Sequence, residues 1–142
     1  MSYSLLEFES FDQLLKYLDG RIQDLEKIHT ALSQRYQELS VKAEKLKKLE
    51  EALTQLVGGE VKVIREIDFM GLKVVVGARV IDELNVVEEV LSSVSDTLTA
   101  LRKVRDVVSQ LAKTVSGGEE LRIRLLVETI NGIPVRILLR EA

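Results

Sequence analysis

Residues 11–57 read FDQLLKYLDGRIQDLEKIHTALSQRYQELSVKAEKLKKLEEALTQLV, and this stretch decides the fold. Phe11, Leu18, Leu25, Leu32, Leu39, Leu46 and Leu53 recur every seven residues without a miss. A second row, Leu15, Ile22, His29, Tyr36 and Ala43, stands four positions further on. It weakens at His29 and Glu50, where Ile28 and Leu49 lie alongside. A seven-residue apolar repeat keeps one seam facing a partner only if the helices wind around each other, so the pattern predicts a left-handed coiled coil. Ser10 followed by Gln13 predicts a capping box at the helix start. Asp19-Gly20 is the one place where the helix could stop and restart at Arg21. The unbroken step from Leu18 to Leu25 argues for continuity, because a helical Gly costs only about 1 kcal/mol relative to Ala. A continuous helix would be about 70 Å long at 1.5 Å per residue.

A second helix is expected from about Asp82 to Ser116. Val87, Val94, Leu101, Val108 and Val115 form one row; Leu84, Leu91 and Leu98 form another, continued after a shift by Val104 and Leu111. Its length, about 50 Å, nearly matches helix 1 after Gly20, so the two can pair antiparallel. The small polar run from Ser92 to Thr97 would let another helix approach closely or forms a solvated face, and the solvated face is the preferred reading.

Each helix runs into a glycine pair and then a hairpin. Gly58-Gly59 and Gly117-Gly118 follow helices and precede strands, which fits helix C-caps and is the wrong order for a phosphate loop. In the first hairpin Val61, Val63, Ile67 and Phe69 alternate with Lys62, Ile64, Glu66 and Asp68. With the turn at Met70-Gly71, the return strand aligns Leu72, Val74, Val76, Ala78 and Val80, and Asp68 faces Lys73. The second hairpin, LRIRLLVETI and IPVRILLR, turns at Asn131-Gly132, a type I′ signal. Its centre is apolar on both faces, as in strands covered on both sides. Pro134 cannot donate to a ladder, so its nitrogen should face a sheet edge.

The expected fold is therefore α+β: two long coiled-coil helices each followed by a β-hairpin, an αββαββ internal repeat, with the hairpins forming a small antiparallel sheet. Residues 1–142 read as a single elongated domain, with 1–81 the first repeat plus an N-terminal extension and 82–142 the second. The apolar rows exceed what one antiparallel helix pair can bury, which predicts self-association, for example a four-helix bundle from two chains.

Composition narrows the chemistry. The 142 residues are 46% hydrophobic, which indicates a folded chain, yet only 4% aromatic, which suits aliphatic seams better than a deep ligand pocket. Net charge of −3 provides no basic field for nucleic acid. There is no cysteine and one histidine, so thiolate chemistry is excluded and soft metal ligands are few. The N-terminus, MSYSLLEFES, lacks the features of a secretory signal, and no apolar run is long enough to span a membrane, so the expected location is cytoplasmic. Lys, Arg and Glu richness with one Pro resembles thermophile composition.

No catalytic triad, P-loop or metal cluster is visible, and no cofactor or small-molecule substrate is expected. His29, in a seam row, could be a pH-sensitive register residue, but a partly buried, hydrogen-bonded His with no task is the preferred reading. Glu66, Asp68 and Lys73 could imitate a carboxylate–lysine site, but a solvent-facing strand pair explains them. Lys42, Lys45, Lys47 and Lys48 are interleaved with Glu44, Glu50 and Glu51, a solvated helix face. Arg122, Arg124, Arg136 and Arg140 alternate along the last hairpin and could track a phosphate backbone, or pair with Glu119, Glu120, Glu128 and Glu141. That hairpin has no aromatic side chain on which a base could stack.

The order helix 1, first hairpin, helix 2 resembles the prefoldin chaperones, in which a hairpin joins two coiled-coil helices and the hairpins assemble into a barrel. The resemblance is topological, rests on no specific motif, and stops where helix 2 runs into a further hairpin. It implies a holdase-like chaperone as an alternative. The leading expectation is a non-enzymatic coiled-coil oligomerisation or adaptor protein. It would bind itself, and another protein, through Phe11, Leu18, Leu25, Leu32, Leu39, Leu46, Leu53, Val87, Val94, Leu101 and Val108. A nucleic-acid accessory role of the arginine hairpin is the remaining alternative.

Overall fold

The structure is a computed structural model and describes residues 2–57, 65–76, 79–115 and 123–141. The order is β1 (Tyr3–Phe8), α1 (Phe11–Val57), β2 (Arg65–Phe69), β3 (Leu72–Val76), α2 (Val80–Val115), β4 (Ile123–Ile130) and β5 (Ile133–Glu141). This is an α+β chain of two helices and two small antiparallel sheets, β1-β4-β5 and β2-β3. Both glycine pairs lie outside the described residues.

Helix α1 continues through Gly20, as the Leu18-to-Leu25 step requires. Its start is capped almost as expected: Ser10 Oγ accepts from the Gln13 N–H at 3.2 Å, while Gln13 Oε1 reaches one residue further back, to the Glu9 N–H, at 3.0 Å. Helix α2 starts at Val80, two residues before the position expected from sequence. Asp82 lies within the first turn, and its Oδ2 accepts from the Arg79 N–H at 2.9 Å. Val80 therefore belongs to the helix and not to the preceding strand.

The chain packs as two compact units, Met1–His29 with Ser93–Ala142, and Thr30–Ser92. In the first, the two helices run antiparallel beneath the three-stranded sheet. Leu14, Leu18 and Ile22 of α1, Leu98, Leu101 and Val108 of α2, and Leu125 and Val127 of β4 form one core. Arg105 donates to Asp19 at 2.9 Å and Arg102 to Glu26 at 3.1 Å, crossing the helix pair.

Residues 1–10 were expected to be an extension, but they contain β1, which pairs with the central strand β4 from Tyr3↔Ile130 to Phe8↔Leu125. Thr129 is the buried polar residue of this unit, and its hydroxyl is hydrogen-bonded to that of Ser4 directly across from it. The Asn131 N–H donates to the Ser2 carbonyl at 2.7 Å, and Asn131 Oδ1 accepts from the Ser2 N–H at 2.9 Å, fixing the start of β1 to the β4-β5 turn. That turn has Asn131 at φ 53 and Gly132 at φ 79, the left-handed pair that a type I′ hairpin needs. Gly132 is favoured there for its φ; a Cβ would meet Arg21 Nη2 at 2.7 Å, the mobile end of a long side chain that can move aside. Pro134 lies on edge strand β5, beside a register shift at Glu128/Thr129.

In the second unit Leu39, Ala43 and Val87 are the buried apolar residues. Arg35 pairs with Glu83, and Arg79 with Glu50 at 3.6 Å. The β2-β3 register sets Asp68 opposite Lys73, as the sequence predicts. Met70 (φ 52) and Gly71 (φ 86) make the turn, and Asp68 Oδ1 braces it by accepting from the Gly71 N–H at 3.1 Å. The expectation that both hairpins share one sheet is corrected: β2-β3 stands alone, and the third strand beside β4-β5 is β1. Strand β1 fills the position because its alternation buries Leu6 and Phe8 more than Leu5 and Glu7.

Candidate interaction surface

Directly opposed residues in an antiparallel sheet share a face. The β1-β4-β5 register therefore assigns two faces. Phe8, Leu125 and Val127 point to the core, and Leu125 and Val127 are fully buried. The outer face carries Tyr3, Leu5 and Glu7 of β1, Arg124, Leu126 and Glu128 of β4, and Arg136, Leu138 and Arg140 of β5. Tyr3 and Leu5 are 66% and 61% exposed, and Leu138 is half exposed. The face is thus apolar with charges interleaved, and the apolar character read on both sides of this hairpin is covered on one side only.

The arginines do not form an open basic track. Arg124 pairs with Glu7 at 3.4 Å, and Arg136 approaches Glu128, directly opposite, at 4.0 Å. Arg124 faces Arg140 across the ladder, an unfavourable like-charge pair that Glu7 relieves. Glu7 was missed because it sits on β1; Glu141 pairs in register with Ile123 instead. Arg122, Glu119 and Glu120 lie outside the described residues.

The expected interface row meets a different fate. Leu18, Leu39, Val87, Leu101 and Val108 are buried within the single chain. Phe11, Leu25, Leu32 and Val94 are half-buried, Leu46 is exposed, and the side chain of Leu53 lies outside the described residues. Most of the row is occupied by the chain's own helices and sheet. Other apolar residues stay exposed as well, among them Ile28, Val41 and Leu49 on α1, Val86, Val90 and Val107 on α2, and Phe69, Met70 and Leu72 at the β2-β3 tip. This set could have been found by asking which apolar residues fall off the seven-residue row.

His29 is half-buried in α1. Asp68 braces the β2-β3 turn by accepting from the Gly71 N–H. Hydrogen bonds from Arg35 to Glu83 and from Arg105 to Asp19 push both guanidinium groups further above their ordinary range, so both stay cationic at any physiological pH. Among the described residues no group of three or more His, Asp or Glu could hold a metal, and no helix is long and apolar enough to cross a membrane. The class defined is an α+β chain of two helices and two small antiparallel sheets, with exposed apolar residues on both helices, a sheet face and a hairpin tip. No family model, curated protein or solved structure matches the chain.

Proposed function

We propose that this protein is a non-enzymatic assembly subunit of the cytoplasm that self-associates and presents a scaffold to other proteins. In this reading the helices act as coiled-coil elements and the two helix–hairpin segments as copies of one unit. The observation that carries it is the apolar surface left uncovered, including Tyr3 and Leu5 of β1 and Leu138 of β5 on the outer sheet face. Contiguous exposed apolar side chains rimmed by charge mark sites of protein association. Light scattering over a wide dilution series tests it. A stable dimer or higher species supports the assignment; a monomer at every concentration refutes it.

One observation favours a holdase chaperone as a second reading. Phe69, Met70 and Leu72 are 62%, 94% and 67% exposed on a turn held rigid by Asp68. A chaperone of this kind would slow client aggregation and lose that capacity on Phe69→Ser with Met70→Ser. A nucleic-acid role for Arg124, Arg136 and Arg140 is disfavoured because Glu7 and Glu128 interleave with them.

A further inference from the structure

We infer that α2 carries a second seam, through which two copies of this chain pair antiparallel. The inference rests on the self-association reading above and specifies its face and orientation. Leu98, Leu101 and Val108 of α2 face the core, and Val94 and Val104 pack partly against it. Val90, Ser93, Thr97, Ala100, Val104 and Val107 form another stripe, in alternating steps of three and four. At 3.6 residues per turn its midline lies about 80° round the helix from the core-facing one. Val90 and Val107 remain 44% and 56% exposed, Ser93 is exposed, and Thr97, Ala100 and Val104 are half-buried.

The middle of the stripe suits a helix partner. Its side chains are small, which allows a close interaxial approach. The Thr97 hydroxyl donates to the Ser93 carbonyl at 2.9 Å, so its donor is satisfied within the helix and loses nothing when water is excluded.

The flanking charges identify the partner as a second copy and set its direction. Asp96 and Lys103 each stand one position before a stripe residue, Thr97 and Val104. Both are exposed, and neither forms an ion pair among the described residues. In a parallel, in-register pair they would face Leu101 and Val108 of the second copy, which are already buried in their own core. In an antiparallel pair, Val90 meets Val107 of the second copy, Ser93 meets its Val104, and Thr97 meets its Ala100. The same register brings Asp96 beside Lys103 of the second copy, and the two-fold axis repeats that pair. One helix face is thus self-complementary in shape and in charge.

The chain has no cysteine, so disulfide trapping reads this directly. Val90→Cys and Val107→Cys are made as separate single variants at exposed positions, mixed, and oxidised mildly. The expected product is the mixed Val90→Cys/Val107→Cys disulfide, in excess over either self-linked species. Lys103→Asp should weaken the dimer about tenfold in dissociation constant, and adding Asp96→Lys should restore it. Self-linked Val90→Cys in excess over the mixed product would mean parallel pairing and overturn the inference. A chain that is dimeric by light scattering but gives no trapped product would also overturn it, while leaving the assembly reading intact. A monomer would overturn both.

Discussion

Replacing Ser4 by Ala should cost more than replacing the buried residue it touches. Thr129 is 1% exposed, and its hydroxyl is bonded to Ser4 across the β1-β4 ladder, whereas Ser4 lies at the exposed edge strand. Ser4→Ala strands the Thr129 hydroxyl in the core, and an unsatisfied buried polar group costs about 1–3 kcal/mol. Thr129→Val removes the buried polar group with little change of shape, and Ser4 can then turn to water, so the cost falls to about 0–1 kcal/mol. The double variant has no stranded group and should be no worse than Thr129→Val, a non-additivity of about 1–2 kcal/mol. Urea titration followed by circular dichroism measures all three. At an m-value of about 2 kcal/mol/M, a loss of 2 kcal/mol moves the midpoint by about 1 M. Additive losses, or a Ser4→Ala variant within about 0.5 kcal/mol of the parent, would mean that β1 does not seal this core.

Gly20→Ala and Gly132→Ala should act in opposite directions. Gly20 is mid-helix with nothing within 4 Å of an added Cβ, so Ala should stabilise by about 0.5–1 kcal/mol, while Gly132 at φ 79 should lose about 1–2 kcal/mol, both read as thermal midpoints. Leu101→Ala, at a fully buried position in the core, should cost about 2–5 kcal/mol in the same assay. Asp68→Ala removes the brace on the β2-β3 turn; backbone amide exchange should accelerate at residues 68–73, with the global midpoint moving by no more than about 1 kcal/mol.

Local chemistry was legible from sequence, and pairing over distance was not. Met70-Gly71 and Asn131-Gly132 define their turns because a left-handed pair leaves little choice of geometry, and the Asp68↔Lys73 register follows from the first. Helix α1 was legible because its repeat overrides one glycine. Strand β1 was hidden because SLLEF is too short to signal by itself and becomes a strand only against β4. The start of α2 was misplaced because Val80 and Ile81 are β-branched and continue a strand pattern, while Asp82, which caps from inside the first turn, looks like the beginning. Several residues of the apolar rows are buried, as their spacing predicts. Periodicity does not say whether a seam closes within a chain or between chains, and the sheet over Leu18, Leu101 and Val108 answers that for the first row.

The junction of β1 with β4 also sets an order of events. Ser4 and Thr129 are 125 positions apart along the polypeptide, yet their hydroxyls touch. During synthesis β1 emerges long before β4, the central strand that receives it. Residues 30–92, by contrast, are contiguous and can organise as soon as they emerge. The β1-β4 ladder then closes after residues 30–92 have organised. Pulse-labelled amide exchange during refolding should show residues 3–8 gaining protection last, together with β4.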